Sequence, residues 1–190
     1  MILHLFGGSF DPPHLGHLVI AKYFSTQSDL VLISPLLTSQ EKSPIVSGDV
    51  RLQLCELAFQ GLQKVQVTSI DLERGGITYT IDTIRDIQKA YRDAEIHLVI
   101  GEDALSTLHL WKDVDTLLGL VKLDVVKRPG SQIKTSVDFP FALHDIGSPD
   151  ISSTWLRSAL RDSDIDEDML TTKMPTSVLH FIQKNRLYQG

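Results

Sequence analysis

Short apolar runs and stretches of helically spaced apolar residues take turns along this chain about every 30 residues, the length of a strand–helix–strand unit. Ile2–Phe6, Leu30–Ser34, Val65–Val67 with Ile70, Ile96–Ile100, Val121–Val126 and Ala142–Ile146 read as strands. Between them the spacing predicts helices over His14–Thr26, around Val50, Leu54, Leu57 and Ala58, and around Ile77, Ile81, Ile84, Ile87 and Tyr91. Shorter helical patterns fall at Ala104–Leu108 and Val114–Leu118, and later ones at Ser152–Leu160 and from Pro175 through Asn185. Pro35 to Gly48 and residues 130–140 read as loops. Strict alternation of this kind predicts an α/β fold, a doubly wound parallel sheet with helices on both faces. The 190 residues suit one domain, 1–190, whose C-terminal helical part runs from about residue 152 to 190.

Sheets of this type bind ligands beyond the C-terminal ends of their strands, where the strand order reverses. Three segments follow predicted strands directly and should gather on that edge: Gly7–His17, Gly101-Glu102-Asp103 and Lys127–Gly130. The first says most. Gly7-Gly8 lets the backbone turn tightly and approach a ligand. Asp11-Pro12-Pro13 breaks the chain, and a helix then starts with His14 and His17 three apart in its first turn. Free N–H groups and partial positive charge at the helix start, with two imidazole donors, point to an anion site. Gly16 costs its helix about 1 kcal/mol relative to Ala, which makes sense if something must come close there. Zinc would need three or four protein ligands, and the two histidines lack companions nearby, so no metal site is expected. Ile151-Ser152-Ser153-Thr154-Trp155-Leu156-Arg157 places three hydroxyls before a helix with an arginine one turn in. That pattern suits simple N-capping and also suits a polyphosphate. Neither a Gly-x-Gly-x-x-Gly fingerprint nor a Walker lysine motif is present.

Composition narrows the partners. A net charge of −6 argues against broad binding to nucleic acid or to an anionic membrane, but not against a small anion held by local donors. No apolar run approaches the ~20 residues of a membrane span. Strand and motif begin at residue 1, so no signal peptide is expected and the cytoplasm is the expected compartment. The single cysteine, Cys55, lies in a helical pattern and reads as a buried structural thiol. His4, His97, His109, His144 and His180 have no motif around them and read as structural or surface residues.

The segment Gly7-Gly8-Ser9-Phe10-Asp11-Pro12-Pro13-His14-Leu15-Gly16-His17, together with Ile151–Arg157, resembles the two signatures of the nucleotidyltransferase superfamily of adenylyl- and cytidylyltransferases. Ile77-Thr78-Tyr79-Thr80-Ile81-Asp82-Thr83, Ile100–Asp103, Trp111, Lys127-Arg128-Pro129-Gly130 and Leu187-Tyr188 fall in the order of the bacterial nicotinate-nucleotide adenylyltransferase family. The resemblance covers essentially the whole chain. Ser9 replaces the commoner threonine and keeps its hydroxyl, and Met174-Pro175 stands where Val-Pro is usual. Ser39-Gln40-Glu41-Lys42-Ser43-Pro44 stands where the family has Pro-Pro-His-Lys, which leaves Lys42 as the match.

The resemblance implies a Rossmann-like fold and transfer of AMP from ATP to nicotinate mononucleotide, with pyrophosphate leaving and no covalent intermediate. It implies that His14, His17 and Arg157 are catalytic. ATP would be held by Gly7, Gly8, Ser9, Phe10, His14, His17, Gly101, Asp103, Ser152, Ser153, Thr154 and Arg157. Lys42, Thr78, Tyr79, Thr80, Trp111 and Arg128 would bind the mononucleotide. Mg²⁺ would enter mainly on the ATP phosphates. Pantetheine-phosphate or nicotinamide-mononucleotide adenylyl transfer, or a non-catalytic nucleotide-binding regulator, are the alternatives, and homo-oligomerisation is compatible with all of them.

Overall fold

The computed structural model describes residues 1–38, 43–130, 139–162 and 164–189. Six strands form one sheet: β1 (Ile2–Gly8), β2 (Leu30–Pro35), β3 (Val65–Val67), β4 (Glu95–Gly101), β5 (Lys122–Val126) and β6 (Ala142–His144). Their order is β3-β2-β1-β4-β5-β6, and each neighbouring pair is parallel. The order reverses between β1 and β4, where Phe6 stands level with Val99. This is the doubly wound Rossmann-type arrangement, with its crevice at the β1/β4 switch point.

The central strands are buried on both faces, which is why they read as unbroken apolar runs rather than alternating ones. Leu3 and Leu5 of β1 pack on one side with Ile81, Ile84, Ile87, Leu98 and Leu123. Phe6 packs on the other with Phe24, Ile33, Leu54, Val99, Leu156 and Val178. Burying one such side chain fully contributes about 1.5–3 kcal/mol. The helices are α1 (Leu15–Ser25), α2 (Gly48–Phe59), α3 (Ile70–Arg74), α4 (Thr80–Ala90), α5 (Glu102–Thr107), α6 (Val114–Leu120), α7 (Ser153–Ala159), α8 (Glu167–Thr171) and α9 (Thr176–Lys184). Leu156 of α7, Leu170 of α8 and Val178, Leu179 and Ile182 of α9 enter the same core as α1 and α2. None of the described helices is long and apolar enough to cross a membrane.

Several local expectations change. Ile70 does not extend β3; it opens α3, because Ser69 and the acidic Asp71 and Glu73 favour a helix start. Ile77 lies before α4 and is exposed, since Gly75 and Gly76 both take positive φ and break the helical pattern there. The strand at Ala142 ends at His144, two residues short of Ile146. Helix α8 was not anticipated. Cys55 is fully buried, and burial pushes its thiol pKa up, as a structural role requires. His4, His97 and His144 are structural rather than surface groups, for they converge on the buried Asp124. Burial would raise the Asp124 carboxyl, but hydrogen bonds from His4, His97 and His144 outweigh it and hold it near about 2.

Candidate active site

The crevice above β1 and β4 is a cleft of about 970 Å³. Its floor is the turn that follows β1. Gly8 sits there because a Cβ would come within 3.2 Å of the Phe10 ring. Phe10 holds a left-handed backbone (φ 48°) and buries its ring edge-on against Phe6 at 5.5 Å and His17 at 4.9 Å. That packing fixes the loop from which Asp11, Pro12 and Pro13 lead into α1.

His14 caps α1, and its backbone N–H donates to His17 Nδ1 at 3.2 Å. The two rings stack, 3.7 Å between centroids. Gly16 is required by His14 itself: a Cβ would meet His14 Nδ1 at 3.0 Å and the Pro149 carbonyl at 3.4 Å. His14 is 7% exposed, and burial lowers its pKa to about 4, so the ring is neutral at pH 7. Its Nδ1 and the Ser9 hydroxyl are buried without hydrogen-bond partners, both on the wall of the cleft. Unsatisfied buried polar atoms are costly, and two of them on residues that line one cavity suit a polar ligand.

Helix α7 closes the other side. Ser152 accepts the Trp155 N–H at 3.1 Å, the capping bond that its position suggests. Ser153 Oγ donates to the Pro12 carbonyl at 2.9 Å. Arg157 donates through Nη1 to the Asp11 carbonyl at 2.6 Å and through Nη2 to Thr154 Oγ1 at 3.2 Å. The hydroxyl–arginine segment is thereby docked onto the glycine–histidine segment, 146 residues away in the chain. Arg157, His14 and His17 line the same cleft.

At the other end of the cleft, Thr78 is anchored by its N–H to the Thr38 carbonyl at 2.7 Å, and its hydroxyl accepts the Leu37 N–H at 3.1 Å. Tyr79 caps α4, and Lys112 Nζ lies 4.4 Å over its ring. Trp111 lines the cleft while packing against the core below. Asp103, after β4, pairs with Arg128, after β5, at 2.5 Å. Gly7, Gly8, Ser9, Phe10, Gly101, Asp103, Thr78, Tyr79, Thr80, Trp111, Arg128, Ser152, Ser153 and Thr154 all border this one space. Lys42 lies outside the described residues.

Three supporting groups were not foreseen. Asp11 is buried and accepts the Ile45 N–H and the Tyr188 O–H, each at 2.7 Å. Burial and then the Asp11 charge push the Tyr188 phenol well above its usual range. Arg51, 1% exposed, donates to the carbonyls of Ser9, Leu36, Leu37 and Val46, bracing both loops that flank the cleft. Burial draws its pKa down against the pull of Asp11. Asp71 gathers the hydroxyls of Ser34 and Thr83 and the Arg74 guanidinium beneath the Thr78–Thr80 turn. The signal for Arg51 was present: with Leu54, Cys55 and Ala58 it falls on the buried helical face.

Fold and site together define a doubly wound α/β domain with a polar cleft at its switch point, and residues 5–159 match the family model described as cytidylyltransferase-like. A relative from Gemmatimonas aurantiaca is 34% identical over 200 residues, covering 100% of this chain and 93% of that protein. One from Bacillus licheniformis is 32% identical and covers 97% of each chain. One from Shouchella clausii is 37% identical over 82% of each. All three carry the name "Probable nicotinate-nucleotide adenylyltransferase". The chain belongs to the nicotinate-nucleotide adenylyltransferase family. Its fold matches the Plasmodium falciparum nicotinic acid mononucleotide adenylyltransferase complexed with NaAD, with a TM-score of 0.83 at 19% identity over 98% of this chain and 96% of that one.

Proposed function

We propose that this protein transfers AMP from ATP to nicotinate mononucleotide, releasing pyrophosphate and forming nicotinate adenine dinucleotide. The convergence of His14, His17 and Arg157 on one cleft at the sheet's switch point carries this reading, and the names of its relatives agree with it.

The mononucleotide phosphate attacks the α-phosphorus of ATP in line. Catalysis is positioning and charge stabilisation, with no side-chain nucleophile. Gly7 and Gly8 let the triphosphate approach the backbone beside β1. His14 and His17 donate to phosphate oxygens as charge builds on them. The neutral His14 imidazole serves here as an N–H donor, and its Nδ1, without a hydrogen-bond partner, leaves the ring free to take the tautomer that a phosphate demands. Ser9 supplies a further hydroxyl at the same wall. Ser152, Ser153, Thr154 and Arg157 hold the β- and γ-phosphates. Gly101 and Asp103 border the adenosine, and Asp103 accepts from a ribose hydroxyl once Arg128 turns to the mononucleotide. Thr78, Tyr79, Thr80 and Trp111 form the nicotinate end, with N–H and O–H donors for the carboxylate and an aromatic face for the ring.

The two buried carboxylates of the cleft, Asp11 and Asp71, are already saturated by donors. That fits a Mg²⁺ ion carried in on the phosphate oxygens of ATP, where it would neutralise charge on the departing pyrophosphate.

The decisive assay gives the protein ATP with nicotinate mononucleotide, nicotinamide mononucleotide or phosphopantetheine and measures pyrophosphate. Nicotinate mononucleotide should give the highest kcat/KM, and His17→Ala should lower kcat on it by roughly 10²–10⁴. A preference for either other acceptor, or pyrophosphate release with none, would overturn the assignment.

A further inference from the structure

The sheet face covered by α1 carries a second cluster of reactive side chains, apart from the cleft. His4 of β1, His97 of β4, Asp124 of β5 and His144 of β6 come from four adjacent strands, and none of them borders the cleft. His4 stands level with His97 across the β1–β4 pair. His97 Nδ1 lies 2.7 Å and His4 Nε2 3.5 Å from the same carboxylate oxygen, Asp124 Oδ2. His144 Nε2 lies 2.6 Å from the other oxygen, Oδ1. One potential ligand atom each from His4, His97 and Asp124 falls within 4.8 Å of the others. Nitrogen and oxygen ligands placed tetrahedrally around zinc stand roughly 3.3–3.5 Å apart, so small side-chain movements would close the set.

The far sides of the His97 and His144 rings are arranged as metal-binding imidazoles require. His97 Nε2 lies 3.0 Å from Glu95 Oε1, and Glu95 is itself held by Lys122 Nζ at 2.9 Å. His144 Nδ1 lies 3.1 Å from the Tyr23 hydroxyl. Such outer partners fix which nitrogen faces the ion. His4 is the poorly satisfied member. It is 4% exposed, packs on Phe24 at 4.7 Å between ring centroids, and its Nδ1 has no partner. Its Nε2 reaches the nearest carboxylate oxygen only at the outer limit of a hydrogen bond. An ion seated between the three groups would replace this long Nε2 contact with a direct bond, leaving Nδ1 on the far side of the ring.

We propose that His4, His97 and Asp124 bind one divalent transition-metal ion of the zinc class, with the fourth position left to water or to His144 after its ring turns from Asp124 Oδ1. Imidazole-rich sites with one carboxylate favour zinc and its neighbours over Mg²⁺, which takes oxygen ligands and keeps its waters. The ion takes the lone pairs of the ring nitrogens facing Asp124, and protons held there in the metal-free protein pass to solvent. Its role is structural: it ties together β1, β4 and β5 and, through His144, the short edge strand β6 that precedes the 148–154 wall of the cleft.

The test uses the tag-free full-length protein, stripped with a chelator and titrated with Co²⁺. Ligand-field absorption of tetrahedral intensity should saturate at one equivalent, disappear on adding Zn²⁺, and be unchanged in His17→Gln. Glu95→Gln should weaken binding about 10-fold to 100-fold, as loss of an outer partner does. Folded His97→Gln and Asp124→Asn should show no such absorption. The wild-type titration alone can overturn the proposal: a protein with native circular dichroism and no saturable tetrahedral Co²⁺ spectrum has no such site. Absorption that survives His97→Gln but is lost in His17→Gln would place the ion in the cleft and overturn the proposal equally.

Discussion

His14 and His17 sit in contact, and the surroundings of His14 displace its titration downward. The cause is burial of the ring, which lies against Gly16. The consequence for stability has a definite sign. In the unfolded chain this imidazole takes up a proton below about 6.5, and in the folded chain only below about 4. Between those values the unfolded state binds more protons, so stability falls as pH falls. The full displacement corresponds to about 3 kcal/mol. Urea unfolding at pH 7, 5.5 and 4.5 should show this decline, and His14→Gln should flatten it. An equally steep decline in His14→Gln would assign the acid sensitivity to other groups. The motif itself was legible because it needs unusual residues at short spacing: two glycines, three chain breakers, two histidines. The stacking of the rings was not, because it depends on how Phe6 and Phe10 pack against His17.

At the level of elements, the long apolar runs and long helices were readable because one period dominates each of them. Helices α3 and α8, five residues each, carry too few turns for any period to emerge. Gly16 shows how an element can be bent to the needs of the site. Gly119 of α6 has open space around its missing Cβ, so Gly119→Ala should stabilise by about 0.5–1 kcal/mol and leave activity alone. Gly16→Ala gains the same propensity but drives a methyl against His14 Nδ1 and Cε1, at 3.0 and 3.1 Å. At that distance the ring must shift by a few tenths of an ångström, away from the position the site gives it. The expected outcome is a folded protein whose kcat/KM for ATP drops about tenfold or more, the scale on which misplacing a key group acts. If Gly16→Ala and Gly119→Ala behave alike in a steady-state assay, the glycine serves the helix and not the histidine.

Across the whole molecule, Asp11 joins parts of the chain that no local pattern connects. Its side chain takes donors from Ile45 and from Tyr188, 177 residues further on, while its carbonyl takes Arg157. From sequence, Asp11 reads as part of a chain break and Tyr188 as a landmark near the terminus. Their bond exists only because α9 packs on α2 and delivers residues 187–188 to the back of the cleft floor. The pairing is therefore a property of the closed fold. Tyr188→Phe keeps the buried ring and removes one donor from a buried carboxylate, a loss of about 1–3 kcal/mol. For a chain of this size that lowers Tm by roughly 2–10 °C in calorimetry. The same change frees Asp11 to pull on the Arg157 guanidinium, whose Nη1 is already 3.9 Å from Asp11 Oδ2. Drawn toward the floor, Arg157 is less available to the triphosphate, so KM for ATP should rise several-fold while kcat changes less than about twofold, as loss of uniform binding does. A lower Tm with an unaltered KM would confine Tyr188 to holding the terminus down. A KM change of the expected size would mean that the last turn of the chain sets how the first loop receives ATP.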